Sequence, residues 1–273
     1  MVLERLDPAD RATWAMYYAD HVARYSFAAE HVRGRRVLDV GTGPGYGAVI
    51  LKAAGATAVT AIDLSAATVD QARARYGETG VTYAVGDAEA LDAHGPVDVI
   101  CSFENIEHLT HPDKFVASAA RALAPGGVLF CSSPDRRATR PFVDGKPANP
   151  YHTHEWFADE FRALLAAGFE EVDVRAQVRG FGHSAREEAA AGVRVALDVY
   201  GALARRSPVG WLHRLFGRGH WLDAARAAGT AAERLGAGSP ADYPVVTPLL
   251  VGITGEPFCH LAVCSKPRAP DRR

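Results

Sequence analysis

The hydrophobic pattern of this chain switches between helical spacing and short unbroken apolar runs. Over residues 8–32, Trp14, Tyr17, Tyr18, Val22 and Tyr25 recur at three- and four-residue steps, which predicts an N-terminal helical cap. Val37–Val40 is a buried-strand run, a glycine-rich turn follows, and Ala48–Ala54 is helical. Val59–Ile62 predicts the second strand, and Ser65 is placed to N-cap a helix Ala66–Tyr76. Val81–Val85 and Val97–Ser102 predict strands three and four. Pro112 opens a helix that runs to Leu123, Pro125-Gly126-Gly127 stops it, and Val128–Ser132 predicts strand five. Strand and helix alternate about every 25 residues, the signature of βαβ units around a parallel sheet.

The pattern changes after residue 132. Residues 133–153 read as a long polar loop, Glu155–Ala167 as an amphipathic helix capped by Thr153, and Glu171–Val178 as strand six. Phe258–Ser265 reads as a last strand. Residues 180–255 interrupt the repeat as a helical insertion. Ser184 and Glu187 give a capping-box signal ahead of Val193, Leu197 and Tyr200, and a second helical stretch runs from Trp221 to Leu235. Between them Trp211, Phe216 and Trp221 lie beside Arg205, Arg206, Arg214 and Arg218. The expected fold is a single α/β domain over 1–273. It is Rossmann-like and doubly wound, with a mostly parallel seven-stranded sheet whose last strand is antiparallel.

Composition narrows the function classes. The chain is 48% hydrophobic and 23% charged, which fits a folded domain and excludes a disordered one. A formal net charge of -2 gives no global attraction to nucleic acid or an anionic membrane. No apolar run approaches the roughly 20 residues that a membrane helix needs, and the opening MVLERLDPAD carries charges where a signal peptide needs an apolar core. The expectation is a cytoplasmic protein. Cys101, Cys131, Cys259 and Cys264 form no CxxC pair and sit in apolar runs, so buried free thiols are expected.

The chemistry begins at VLDVGTGPGYG, residues 37–47. A strand ends in Asp39, and Gly41, Gly43 and Gly45 let the backbone turn tightly and approach a ligand closely. Asp63 closes strand two, where a carboxylate can accept from ribose hydroxyls. Asp87, followed by Ala88, closes strand three, where it can hold an adenine amino group. Three acids at successive strand ends line one rim of the sheet, where ligands bind in doubly wound folds.

These strings resemble the class I S-adenosylmethionine-dependent methyltransferases. VLDVGTGPGYG, the acid in AIDLS, the GDAEAL turn, VDVICSFENIEHL and the LAPGG turn before VLFCSS all match, over about residues 36–178 plus the last strand. A nicotinamide dehydrogenase would share the glycine turn and ribose acid, but LAPGG and the late C-terminal strand fit it poorly. The resemblance implies S-adenosylmethionine as donor and S-adenosylhomocysteine as product. It also implies Phe103 against the adenine side, Leu64 beside the ribose, and Arg24 and Tyr25 near the methionine end. Packing of the N-terminal helix is an equal alternative for Tyr25.

A second constellation follows strand four. If FENIEHL turns helical, Glu104, Glu107 and His108 stand at i, i+3 and i+4 on one face. Two carboxylates favour Mg²⁺ or Mn²⁺, and the imidazole shifts preference toward Mn²⁺, Fe²⁺, Co²⁺ or Zn²⁺. NPYHTHEW, residues 149–156, adds His152 and His154 on the loop after strand five. ExxEH with a later histidine resembles the small-RNA 3′-terminal 2′-O-methyltransferases, a match that assigns the metal ligand to His152. RYSFA, FENIEHL and NPYH together resemble bacterial methyltransferases of sugar and surface-polysaccharide pathways. ExxEHL also occurs in quinone O-methyltransferases, where the two glutamates would only shape the pocket. Without a metal, His108 or His152 is the candidate general base, with Glu107 beside them. His154 reads as a surface or helix-start residue.

Methyl transfer is an in-line displacement, so alignment of donor and acceptor dominates. A sugar hydroxyl holds its proton tightly, and a divalent ion on a vicinal diol would lower that pKa. A saccharide acceptor therefore ranks first, a phenolic or quinone hydroxyl second, and an RNA 3′ ribose third, since RNA would call for a strongly basic surface. The insertion is left as either a substrate lid or a homodimer interface.

Overall fold

The computed structural model describes residues 11–139, 147, 149–178, 245–246 and 257–268. The helical expectations for Ser184 to Leu235, the Trp211–Trp221 segment and the choice between lid and dimer interface lie outside these residues. So do the side chains of Trp14, Tyr17 and Tyr18.

The elements are α1 (Arg11–Ala29), β1 (Arg36–Val40), α2 (Tyr46–Ala53), β2 (Ala58–Asp63), α3 (Ala66–Tyr76), β3 (Thr82–Val85), β4 (Val97–Phe103), α4 (Pro112–Ala122), β5 (Leu123–Pro134), α5 (Ala158–Ala166), β6 (Phe169–Val178), β7 (Val245–Val246) and β8 (Pro257–Pro267). The sheet runs β3-β2-β1-β4-β5-β8-β6-β7. The five strands from β3 to β5 are parallel. The late strand β8 enters between β5 and β6, antiparallel to both. This is the expected Rossmann-like seven-stranded sheet. The two-residue β7 is an addition that sequence reading missed. It pairs antiparallel with Ala176 and Gln177 at the far edge, within the stretch read as helical.

Strand residues divide alternately between two cores, as a sheet covered on both faces requires. Leu38, Ile100, Leu129 and Cys131 face the layer that contains Phe115, Phe161 and Leu165. Val37, Val99, Cys101 and Phe130 face the layer that contains Tyr25, Leu51 and Val69. All four cysteines are buried and free, as expected. No helix among the described residues is long and apolar enough to cross a membrane.

Three local expectations are corrected. Thr153 does not cap the helix after it. That helix starts at Ala158, where the Glu160 side chain accepts from the Phe157 N–H at 2.9 Å. Strand β5 begins at Leu123, so LAPGG belongs to the strand as well as ending the helix. The segment after β4 is not α-helical. Ile106–His108 forms one 3₁₀ turn, and Glu104 takes a left-handed φ of 50°. Glu104 therefore leaves the face that holds Glu107 and His108.

Candidate functional site

The carboxyl ends of the parallel strands form one rim, and two groups of side chains gather there. The first is built around the loop after β1. Gly41, Gly43 and Gly45 all have positive φ, at 70°, 53° and 87°. A Cβ on Gly43 would meet nothing within 4 Å, so the loop offers open space there. Gly47 shows the reverse: a Cβ would lie 1.9 Å from the Tyr25 ring. Glycine at 47 is what lets the N-terminal helix dock its tyrosine on the loop.

The acids of this rim are held by their neighbours. Asp39 is fully buried and accepts from the Tyr25 hydroxyl at 3.0 Å and the Thr42 hydroxyl at 2.6 Å. Burial raises its pKa from 3.8 to about 6 against the pull of those two hydrogen bonds. Burial and the Asp39 charge together push the Tyr25 phenol well up. Asp63 accepts from the backbone N–H of Gly43 at 3.1 Å and of Ser65 at 2.9 Å. Asp87 is exposed at the end of β3 and accepts from Glu89 N–H at 2.8 Å, while Ala88 packs into the core behind it. Leu64 is 73% exposed and Val85 53%, two apolar side chains left bare beside these acids.

Two further residues expected at the cofactor are buried. Phe103 is buried edge-on against Tyr25, ring centroids 4.9 Å apart, on the other side of β1 from Asp63 and Asp87. Arg24 is fully buried, and its Nη1 donates to Gln177 Oε1 at 2.6 Å. Among the described residues its Nε and Nη2 meet no acceptor. Burial works against the Arg24 charge, and Glu104, Cys259 and Asp20 more than restore it.

The second group is the candidate metal cluster. One ligand atom from each of Glu107, His108 and His152 lies within 4.8 Å of the other two. The rings of His108 and His152 meet edge to face at 4.9 Å. Glu107 is buried, and among the described residues its Oε2 has no hydrogen-bond partner. Burial first, then the Glu104 charge, pushes its carboxyl well above the usual range. His108 Nδ1 lies 3.1 Å from the Tyr151 carbonyl. A carbonyl only accepts, so that nitrogen carries the hydrogen. His152 Nδ1 donates to Glu155 Oε1 at 2.7 Å. In each neutral ring the lone pair is then on Nε2.

Glu104 stands apart from this cluster. Its carboxylate accepts from Ser132 Oγ at 2.9 Å and from Cys259 Sγ at 3.3 Å. Burial would push it up, but Arg24 and His21 hold it below the ordinary value. Of the four residues expected to act together, the structure brings Glu107, His108 and His152 within reach of one another, while Glu104 is turned to the arginine side. His154 is exposed and stacks on Trp156 at 5.5 Å, outside the cluster.

The two halves of the cluster are joined by Thr153. Its N–H and Oγ1 both donate to the Glu107 carbonyl, at 2.8 and 3.0 Å, and Oγ1 also reaches the Leu109 carbonyl at 2.7 Å. Sequence reading missed Thr153 in this role, and it missed Glu155 and Thr139. The i, i+3 spacing of His152 and Glu155 was the available signal, hidden by reading Glu155 as a helix start.

Comparison with known proteins agrees with this geometry. The family described as "Methyltransferase domain" matches residues 12–174. A Mycolicibacterium smegmatis protein named "Probable S-adenosylmethionine-dependent methyltransferase" is 38% identical over 167 residues, 61% of this chain and 64% of that protein. A "Ubiquinone biosynthesis O-methyltransferase" of Caulobacter is 34% identical over 155 residues, 52% of this chain and 60% of that protein. The chain thus spans less than two thirds of the length of either relative. A crystal structure of an S-adenosylmethionine-dependent methyltransferase from Thermotoga maritima superposes with a TM-score of 0.54 at 16% identity, covering 96% of this chain and 98% of the other, which establishes a shared fold.

Proposed function

Starting from the chain's membership of the methyltransferase-domain family, we propose that it is an S-adenosylmethionine-dependent O-methyltransferase. In this reading Glu107, His108 and His152 hold a divalent cation against the acceptor, a saccharide with two adjacent hydroxyls. The observation that carries it is the buried, unpartnered Glu107 Oε2 beside two imidazoles whose Nδ1 atoms are already engaged. A buried carboxylate oxygen without a partner is costly, and a cation resolves that cost.

The donor supplies a methyl group already activated on a sulfonium. The residues around the β1 loop fit such a molecule. Gly43 leaves room for it, Asp63 and Asp87 offer acceptors to hydroxyl and amino groups, and bare Leu64 and Val85 suit a flat base. The Arg24 Nε and Nη2 donors, buried without acceptors, suit a carboxylate. A cation bound by three protein ligands would keep positions for two acceptor oxygens and would lower the pKa of the hydroxyl to be methylated. Glu107, His108 and His152 would then orient that oxygen, and burial of Glu107 keeps bulk water from its carboxylate.

A second reading drops the metal. A phenolic hydroxyl is acidic enough for His108 or His152 to take its proton directly. The Caulobacter relative's name favours this acceptor class.

The test is transfer of labelled methyl from S-adenosylmethionine to panels of saccharides, sugar nucleotides and phenols, with and without EDTA. The first reading expects a labelled sugar that disappears with chelator and returns with Mn²⁺ or Mg²⁺. Labelled phenol indifferent to chelator would replace it with the second.

A further inference from the structure

Resting on that assignment of the cluster, we propose that Glu155, backed by Thr139, is a positioning residue that fixes which ring nitrogen of His152 faces the acceptor. It acts through His152.

The geometry is complete on the protein side. The Glu155 side chain has 0% exposure and that of His152 10%. One carboxylate oxygen accepts from His152 Nδ1 at 2.7 Å, and the other accepts from the Thr139 hydroxyl. A buried carboxylate with both oxygens engaged cannot turn away without leaving an orphan. Its backbone is pinned as well. Trp156 bridges Asp135 at the end of β5, and Arg136 N–H donates to the Trp156 carbonyl at 3.1 Å. The Arg136 guanidinium also lies over the Phe157 ring at 5.0 Å. Glu155 is thus fixed to the sheet from one side and to His152 from the other.

The chemical consequence follows from tautomer selection. With Nδ1–H committed to Glu155, the lone pair of the neutral ring is on Nε2. A carboxylate accepting from the remote N–H also makes the imidazole a stronger ligand and a stronger base. At His108 the Tyr151 carbonyl stands at Nδ1 in the corresponding place. The role holds for either acceptor reading, since a metal ligand and a general base both need Nε2 unprotonated and aimed.

The test uses the full chain, with Glu155→Ala and the shape-keeping Glu155→Gln. Ring ¹⁵N spectra, with His152 assigned by its loss in His152→Gln, report the tautomer without turnover. The wild type is expected to show the Nδ1–H form alone, Glu155→Ala a mixture of tautomers, and Glu155→Gln an intermediate result. Titration with Co²⁺, followed by its absorption bands, is expected to show binding weakened about 10- to 100-fold in Glu155→Ala. A melting curve separates these effects from unfolding. Wild-type spectra lacking the Nδ1–H form, or a folded Glu155→Ala with the wild-type tautomer and Co²⁺ binding within about twofold, would overturn the role. If the wild type takes up no Co²⁺ but the tautomer still shifts in Glu155→Ala, the positioning role stands and the metal half of the proposed function falls.

Discussion

The rim carries two half-sites built on opposite plans. Around β1, Asp39 and Asp63 already have their hydrogen bonds, supplied by Tyr25, Thr42, Gly43 and Ser65. Around the 3₁₀ turn after β4, Glu107 keeps an oxygen with no partner among the described residues, and His152 arrives on a separate loop. Thr153, 46 residues beyond Glu107, ties that loop down. In the proposed reading the first half is a cradle that the donor enters, and the second is a coordination set that a cation or an acceptor completes. The difference is that between a site stable before its ligand comes and one whose polar cost is met only when the ligand is present.

Removing the unfinished oxygen is the strongest way to break this contrast. Glu107→Gln keeps the shape and is expected to lower methyl transfer by about 10²- to 10⁴-fold, the span typical of losing a positioned catalytic group. The apo protein is expected to melt within about 2 °C of wild type or above it, because a buried, unpartnered carboxylate contributes no stability. A fall in melting temperature that matches the loss of activity would make Glu107 a structural residue and erase the contrast.

On the finished side, Asp39→Asn tests whether the cradle is held for function or for folding. Its folded pKa of about 6 lies above the ordinary 3.8. The folded state therefore binds more protons than the unfolded state between those values, and stability falls as pH rises through that window. The loss is of order 1–3 kcal/mol by pH 7. Asp39→Asn is expected to flatten that part of the urea-unfolding profile between pH 4 and 7, and to weaken donor binding at least about tenfold by calorimetry. An unchanged pH profile would mean that Asp39 ionises in the fold as freely as in the unfolded chain.

The smallest effect is expected at the joint between the halves. Thr153→Val removes hydroxyl contacts to two carbonyls and should cost about 1–2 kcal/mol of stability. It should loosen His152 relative to Glu107, so cation affinity should drop while donor affinity stays as it was. Equal loss of both affinities would show that the two half-sites are one cooperative unit.

The finished half was almost fully legible along the chain. Asp39, Gly41, Gly43, Gly45 and Asp63 lie in unbroken strand-turn-helix strings, and their partners are mostly within a few residues or on the next strand. The alternation of apolar runs and amphipathic helices likewise carried the seven-stranded sheet, with β8 as its late antiparallel member. Phe103 was the exception. Its place at a strand end was legible, but its burial against Tyr25 depends on which strand lies beside which.

The other half shows where local reading stops. The sequence by itself determined the sheet, the glycine loop, the acids along the rim and the presence of Glu107, His108 and His152, because these follow from residue type and short spacing. Only the tertiary structure decided that Glu104 turns away toward Arg24, Ser132 and Cys259 through a left-handed backbone. It alone decided that Thr153 docks on Glu107 instead of capping a helix, and that Glu155 stands behind His152. The reason is physical. A strand, a helix or a glycine turn is chosen by forces acting within a few residues, whereas the partner of a buried charge is chosen by whatever the folded chain brings within hydrogen-bonding distance.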